Sequence, residues 1–303
     1  MLGQNGLGPV RVIGREPNAF ASTFPSEIAR CRLDDGRELS LLCKYGSPAE
    51  HDALGHRGGV GYEAAVYRDV LQFFSTHSPR FYGCYLDPET GAAWLAIEYV
   101  ADAVRVADMT SPGRALRRAA RWIGRFHADT ETRLASVSMP VLRTYDGEYY
   151  RQWARRTERF ASELQLGGSW LVALCERFVA SVDALLASPP TVIHGEYGPK
   201  NILVRGGEIC PVDWESTAIA AGEIDLVSLT QKWPRDVVQA CDGEYRRARW
   251  PDGAPGGFEL AREMARLYWD FRWLGDRPEW LGQGKLRARL QHLRATSERL
   301  ALI

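Results

Sequence analysis

The chain has 303 residues, 45% of them hydrophobic and 25% charged, an ordinary globular composition with enough length for two lobes. Lysine plus arginine and aspartate plus glutamate balance at 38 each, so the charge gives no reason to expect nucleic acid or an anionic membrane surface as the partner. The most apolar stretch, residues 91–107, is broken by Glu98, Asp102 and Arg105, so no segment is expected to span a bilayer.

The first hundred residues read mostly as strands. Residues 27–33 and 38–44 are β-type runs joined by Asp34-Asp35-Gly36, a hairpin signal. After Gly61, Tyr67, Val70, Leu71 and Phe74 recur at helical spacing. Residues 80–86 and 92–100 form a second strand pair around the turn 87–91. Ser111-Pro112 is a helix start, with serine as cap and proline at the first helical position. Residues 114–128, 148–164 and 169–187 then read as helices. A short β region follows over 191–211, with its turn at Arg205-Gly206-Gly207, and helices run to the end with breaks near Pro234, Pro251 and Pro278. The order predicts an α+β chain. A small antiparallel-sheet lobe with one helix occupies residues 1–100. A connector lies at about 98–103, and a larger, mostly helical lobe with a β-hairpin in its middle spans 104–303. The six cysteines form no CxxC pair, and the N-terminus lacks the basic start and apolar core of a secretory signal. Both features suit a chain with reduced thiols in the cytoplasm.

The chemistry concentrates in His194-Gly195-Glu196-Tyr197-Gly198-Pro199-Lys200-Asn201 and, across a hairpin, Asp213-Trp214-Glu215. A carboxylate and an amide stand five residues apart on a loop that leads into a strand. A second carboxylate ends the next strand. Phosphoryl transfer needs a carboxylate to orient the attacking hydroxyl, and Asn and Asp oxygens to hold Mg²⁺. A hairpin brings its strand ends together, so Asn201 and Asp213 are predicted to converge.

These motifs resemble the aminoglycoside phosphotransferase family, which has a two-lobed protein-kinase-like fold shared with choline kinases. That family's loop reads HGDxxxxN and its metal loop D-[FWY]-[EDG]; this chain has HGEYGPKN and DWE. The resemblance also takes in Lys44, Glu63, Gly124-Arg125-Phe126-His127-Ala128 and Gly222-Glu223-Ile224-Asp225-Leu226. It implies that Lys44 contacts the α/β-phosphates of ATP or GTP and that Glu63 pairs with and aims it. Ile97 would sit behind the base, and the backbone of Glu98 and Val100 would hydrogen-bond it. Glu196 would take the catalytic-base position, with Asn201 and Asp213 binding Mg²⁺. His194 would be structural, and Asp225 would brace the loop from behind. The nucleoside triphosphate would bind between the lobes, and antibiotic resistance is among the roles the resemblance implies.

Two departures stand out. Glu196 replaces the family's usual aspartate, and its extra methylene moves the carboxylate by roughly 1–1.5 Å on an unchanged backbone. The phosphate-loop candidate, Asn18 to Ser26, has no glycine, so Ser22 and Thr23 would donate to phosphate oxygens instead.

Several features are read more plainly. Residues 59–64 fit GxGxxA but follow no strand, so they lack a dinucleotide-binding context. His51 and His56 read as solvated loop histidines and His127 as a structural one. Glu215 is either a second metal-site residue or a surface charge. The C-terminal region carries Trp233, Tyr245, Trp250, Tyr268, Trp269, Trp273 and Trp280 among acidic residues. Most of these rings read as core. The acids suit a cationic, hydroxylated small acceptor such as an aminoglycoside, aminosugar or amino alcohol, with uncharged sugar, nucleoside or macrolide hydroxyls also open. The sequence therefore predicts a small-molecule kinase. A nucleotide-binding pseudokinase or a non-catalytic interaction protein of the same fold are the alternatives.

Overall fold

A computed structural model of the chain describes residues 10–20, 24–46, 56–74, 78–163, 168–276 and 282–303. The first strands are β1 (Val10–Pro17), β2 (Ser26–Leu33), β3 (Glu38–Gly46), β4 (Phe81–Leu86), β5 (Ala93–Glu98) and β6 (Val104–Arg105). Later come β7 (Arg143–Thr144), β8 (Pro190–Ile193), β9 (Ile202–Arg205), β10 (Glu208–Pro211) and β11 (Ala218–Ala221). The helices begin with α1 (Gly59–Asp69), α2 (Gly113–Leu134), α3 (Gly147–Glu163), α4 (Gly168–Ser181) and α5 (Asp183–Leu186). They end with α6 (Glu223–Thr230), α7 (Arg235–Arg249), α8 (Phe258–Asp276) and α9 (Gln283–Arg299). The chain divides into two units. Unit 1 is Met1–Ala115, Ser138–Leu142 and Glu196–Thr217; unit 2 is Leu116–Val137, Arg143–Gly195 and Ala218–Ile303.

Unit 1 is built on an antiparallel sheet of order β1-β2-β3-β5-β4. Both predicted hairpins are present, β2–β3 and β4–β5. Strand periodicity sorts the side chains by face. Leu41 packs with Ala29, Cys31, Tyr82 and Ala96 on one face, and Cys43 lies against that cluster. The alternate residues Leu42 and Lys44, opposite Ile97 and Leu95 in register, look the other way. Helix α1 packs against β3, β4 and β5. Its buried residues Val60, Glu63, Ala64 and Tyr67 trace one helical stripe. The predicted helical pattern runs further than the helix does. At Val70 the chain leaves helical geometry, with φ −123°, and a 3₁₀ turn at Leu71–Phe73 carries the spacing on.

A second sheet in unit 1 has the order β10-β9-β6. The β9–β10 turn puts Gly206 at φ +58° and Gly207 at φ +85°. Two consecutive positive φ values make a tight hairpin whose twist matches its strands, and glycine adopts them without a Cβ clash. That turn fixes the register Pro211↔Ile202, and one step further Val212 N–H donates to the Asn201 carbonyl at 2.9 Å.

Unit 2 is mostly helical, with a short sheet of order β7-β11-β8. Helix α2 begins at Gly113, one residue after the proline expected to open it. The predicted 169–187 helix is two, α4 and α5. Within the unit, α8 packs against α3, α6 and α9. Thr157 Oγ1 on α3 donates to the Phe271 carbonyl on α8 at 2.8 Å, and Phe178 and Phe271 rings meet at 4.7 Å. Every residue of α6 is buried. Its carboxylates therefore need partners. Glu223 accepts from Ser188 Oγ at 2.8 Å and lies 3.8 Å from Arg249. Asp225 accepts the backbone N–H groups of His194 and Gly195, at 2.7 and 2.9 Å, and contacts His127 Nε2 at 3.2 Å. Gly222 precedes this helix because space there is taken: a Cβ would come within 2.6 Å of Arg249, His127 and Tyr245 side-chain atoms.

Candidate active site

The sequence places Lys44 near the end of β3 and Glu63 one turn into α1, and the fold of unit 1 turns both to one point. Lys44 Nζ donates to Glu63 Oε1 and Oε2 at 2.9 and 2.8 Å, and to Asp213 Oδ1 at 2.8 Å. Burial alone would lower the lysine's pKa, but the carboxylates of Asp213 and Glu63 outweigh it and hold the ammonium charged. Burial likewise opposes the charge on Asp213, and Lys44 overcomes it, keeping that carboxyl below its usual range. Asp213 also sits at φ +72°, a left-handed conformation that costs a non-glycine residue about 1–3 kcal/mol and persists only where surroundings enforce it.

The surroundings are a set of stitches between the DWE segment and the start of α1. Trp214 N–H donates to Glu63 Oε1 at 3.2 Å, Gly58 N–H to the Glu215 carbonyl at 2.8 Å, and Tyr62 Oη to the Thr217 carbonyl at 2.6 Å. Trp214 is wholly buried, its Nε1–H donating to the Pro211 carbonyl at 3.2 Å. The Lys44–Glu63 pair and the Asp213 turn are thus one structure.

Asn201 stands beside Asp213 through the hairpin register already described. Its Nδ2 donates to the Glu196 carbonyl at 3.1 Å, which turns the amide oxygen away from that bond. Glu196 is buried, and Lys200 Nζ lies 3.2 Å from its Oε2. Glu215 is buried too, so it is not the surface charge the sequence left open. Burial, with Asp213 and Glu63 nearby, pushes its pKa up to about 8.

A cavity of about 240 Å³ in unit 1 is lined by some of these groups but not by Glu63, Glu196 or Glu215. Lys44, Asn201 and Asp213 line it at one end, and Ile97, Glu98 and Val100 line it along β5 and its exit. Leu42, Leu203 and Val212 make its walls apolar enough for a flat ring. The Glu98 side chain is engaged with Arg205 at 2.6 Å, and its backbone N–H donates to the Arg80 carbonyl at 2.8 Å. Ser22 and Thr23 lie outside the described residues. Next to them, Phe20 and Phe24 line the cavity, and the Arg105 guanidinium lies 4.0 Å over the Phe20 ring.

Asn201 and Asp213 fit a magnesium ion. They offer hard oxygen donors on one cavity wall, and two protein ligands suffice for an ion that completes its shell with waters and phosphates. Among the described residues there is no cluster of three or more His, Cys, Asp or Glu arranged to hold a metal by themselves.

Sequence reasoning missed two residues here. His56, read as a solvated loop histidine, is 1% exposed; its Nε2 lies 3.3 Å from Glu196 Oε1 and 3.4 Å from Ser216 Oγ. Arg57 Nη2 lies 3.5 Å from Glu196 Oε1, and its Nε 3.9 Å from Glu215 Oε1. The only local hint was their place just ahead of the helix that carries Glu63. His51 lies outside the described residues. In unit 2, His194 and His127 are fully buried. Burial, against the opposing effect of Asp225, lowers the His127 pKa to about 4, so the ring is neutral. Among the C-terminal rings, Tyr245, Tyr268 and Trp269 are core. Two of the interleaved acids are already paired: Asp242 with Arg262, and Asp270 with Arg289 and His292.

The fold is protein-kinase-like. Over 94% of each chain, the structure is similar to a choline kinase of Streptococcus pneumoniae, with 13% identity and a TM-score of 0.64. It is similar to an aminoglycoside 2'-phosphotransferase over 95% of this chain and 93% of that one, with 11% identity and a TM-score of 0.63. A macrolide 2'-phosphotransferase of Brachybacterium faecium matches over 96% and 95%, with 16% identity and a TM-score of 0.57. No curated protein sequence matches the chain. The model of the phosphotransferase enzyme family matches residues 62–258, more than half of the chain. The chain belongs to that family and is a small-molecule phosphotransferase.

Proposed function

We propose that the protein transfers the γ-phosphate of ATP or GTP to a hydroxyl group of a small acceptor. The observation that carries this reading is the single ammonium of Lys44, held by Glu63 and Asp213 at one end of a cavity that also exposes Asn201. Such a lysine is charged, aimed and immobile before any ligand arrives, as stabilising the charge of a transferring phosphoryl group requires. The neighbours support a nucleotide as donor: the S. pneumoniae choline kinase has an AMP complex and the aminoglycoside enzyme a GDP complex.

In this reading the base lies in the cavity against Ile97, with the backbone of Glu98 and Val100 as its hydrogen-bonding edge. Lys44 contacts the phosphates. Ser22 and Thr23 donate to phosphate oxygens. Asn201 and Asp213 would hold Mg²⁺, which when bound supplies positive charge to the phosphate oxygens. Glu196 accepts the proton of the attacking hydroxyl. The new oxygen–phosphorus bond forms in line as the bond to the leaving diphosphate breaks, and the nucleoside diphosphate departs. Residues 1–100 act as the nucleotide-binding lobe, 98–103 as the connector and 104–303 as the catalytic and acceptor-binding lobe. An aminoglycoside, aminosugar or amino alcohol is the acceptor, and resistance to an antibiotic is one role that follows. The six free thiols agree with a cytoplasmic setting. Among the described residues no helix is long and apolar enough to cross a membrane.

The test is transfer of labelled γ-phosphate from ATP and GTP across a panel of aminoglycosides, amino alcohols, sugars and nucleosides. Label is expected on at least one amine-bearing acceptor, and Glu196→Gln is expected to cut that transfer by about a hundredfold or more while nucleotide affinity stays within a few-fold. Nucleotide binding without transfer to any acceptor would overturn the reading.

A further inference from the structure

The glutamate at position 196 poses a physical problem. It has one more rotatable bond than the aspartate expected there, and a freely turning carboxylate is a poor base, because a misplacement of about 1 Å costs on the order of a hundredfold in rate. Something must fix it. Two consecutive residues ahead of α1 reach it, and the next one ties them in place. His56 Nε2 reaches Glu196 Oε1 at 3.3 Å and Ser216 Oγ at 3.4 Å. Arg57 Nη2 lies 3.5 Å from the same Oε1. Gly58 N–H donates to the Glu215 carbonyl at 2.8 Å, tying the segment to the strand exit that carries Asp213.

We infer that His56 is a positioning residue for Glu196: it donates to Oε1, fixes the side chain's last torsion, and leaves Oε2 as the oxygen that receives the acceptor's proton. Nε2 lies between the Glu196 carboxylate and the Ser216 hydroxyl, and in the inferred tautomer it carries the hydrogen that Oε1 accepts. The histidine is 1% exposed, and burial gives its ring few alternative positions. Arg57, joined to Glu196 and Glu215, adds charge to the same side. Oε2 is contacted from the other side by Lys200, whose side chain is 57% exposed and can move aside for a substrate. The extra methylene of Glu196 and the buried histidine thus form one device.

This inference rests on the proposed role of Glu196, and the experiment separates the two. His56→Ala, His56→Gln, Glu196→Gln and the double variant His56→Ala/Glu196→Gln are compared in single-turnover transfer, with nucleotide KM and thermal midpoint read for each. His56→Ala is expected to lower kcat about 10- to 100-fold with nucleotide KM within twofold. His56→Gln, whose amide places a donor near the same point, is expected to recover most of the loss. In the Glu196→Gln background, His56→Ala is expected to add nothing further. An undiminished kcat in His56→Ala, or an equal loss in both backgrounds, or KM rising in step with the fall in kcat, overturns the positioning role alone. Full turnover in Glu196→Gln overturns the base assignment and this inference with it.

Discussion

Each unit of the chain buries a polar network, and the two are built differently. In unit 2, Asp225 meets backbone N–H groups and a neutral histidine; Tyr245 Oη bonds to His127 and Arg249; Arg249 reaches Glu131 and the Pro189 carbonyl. These groups face fixed protein atoms, and none of them lines the cavity of unit 1. In unit 1, Lys44 and Asp213 are paired with each other, and together with Asn201 they line a cavity. There, Asp213 also holds a strained backbone and Glu215 keeps a raised pKa. Burial of charge is common to both networks and identifies neither. Convergence of charged groups on open space, with strain maintained beside it, is what separates chemistry from bracing.

The sharpest way to break that comparison is to remove one member of each network and ask what is lost. Asp213→Ala is expected to reduce phosphate transfer by about a thousandfold. Its folded structure should persist, because Lys44 keeps both hydrogen bonds to Glu63 and the segment after position 213 keeps its bonds to the start of α1, although alanine at φ +72° is no less strained than aspartate. Retained transfer, measured with the acceptor found for the wild-type chain, would move the metal site away from Asp213. Arg249→Met is the counterpart. It leaves Glu223 and Glu131 without their cation, and loss of one partner from a buried ion pair costs about 3–5 kcal/mol. Urea unfolding should show that loss, while turnover per folded molecule changes little. A large fall in turnover with unchanged stability would mean that the unit 2 network acts in the chemistry.

The two networks also differ in how far the sequence disclosed them. Asn201 and Asp213 are legible because phosphoryl transfer demands particular residue types, and because their convergence is set by one hairpin whose Gly206-Gly207 turn is itself legible; Lys44 and Glu63 are legible only through the resemblance to the aminoglycoside phosphotransferase family. The strand pairs β2–β3 and β4–β5 were visible for the same local reason. His56 was not. Its partner Glu196 lies 140 residues away, and a lone histidine in a glycine-rich stretch has no local pattern to distinguish it from a solvated one. Strand β11 was hidden by composition: Ala-Ile-Ala-Ala has weak β propensity, and its antiparallel pairing with β8 is a tertiary choice. The C-terminal acids read as acceptor contacts where type alone is considered, but Asp242 and Asp270 are paired with arginines that sequence spacing does not reveal.

The smallest effect tests whether the unit 2 network is as inert as its geometry makes it. His127 titrates at about 4 in the folded chain, against an ordinary value of 6.5, because burial disfavours its charged form more than Asp225 favours it. A histidine depressed in this way binds its proton more readily when unfolded. Its contribution is therefore present above pH 6.5 and is lost as pH falls toward 4. At 1.36 kcal/mol per unit the full loss is about 3 kcal/mol, and roughly 2 kcal/mol of it falls between pH 7 and pH 5. Other carboxylates add slopes of their own, so the informative quantity is a difference. The unfolding free energy of the wild-type chain should fall more steeply than that of His127→Gln over this window, by about that amount, with the two curves parallel above pH 7. A wild-type curve that falls less steeply than that of His127→Gln over this window would mean that His127 is charged in the folded state. Asp225 would then be half of an ion pair, and the contrast between a neutral brace in unit 2 and a charged site in unit 1 would fail.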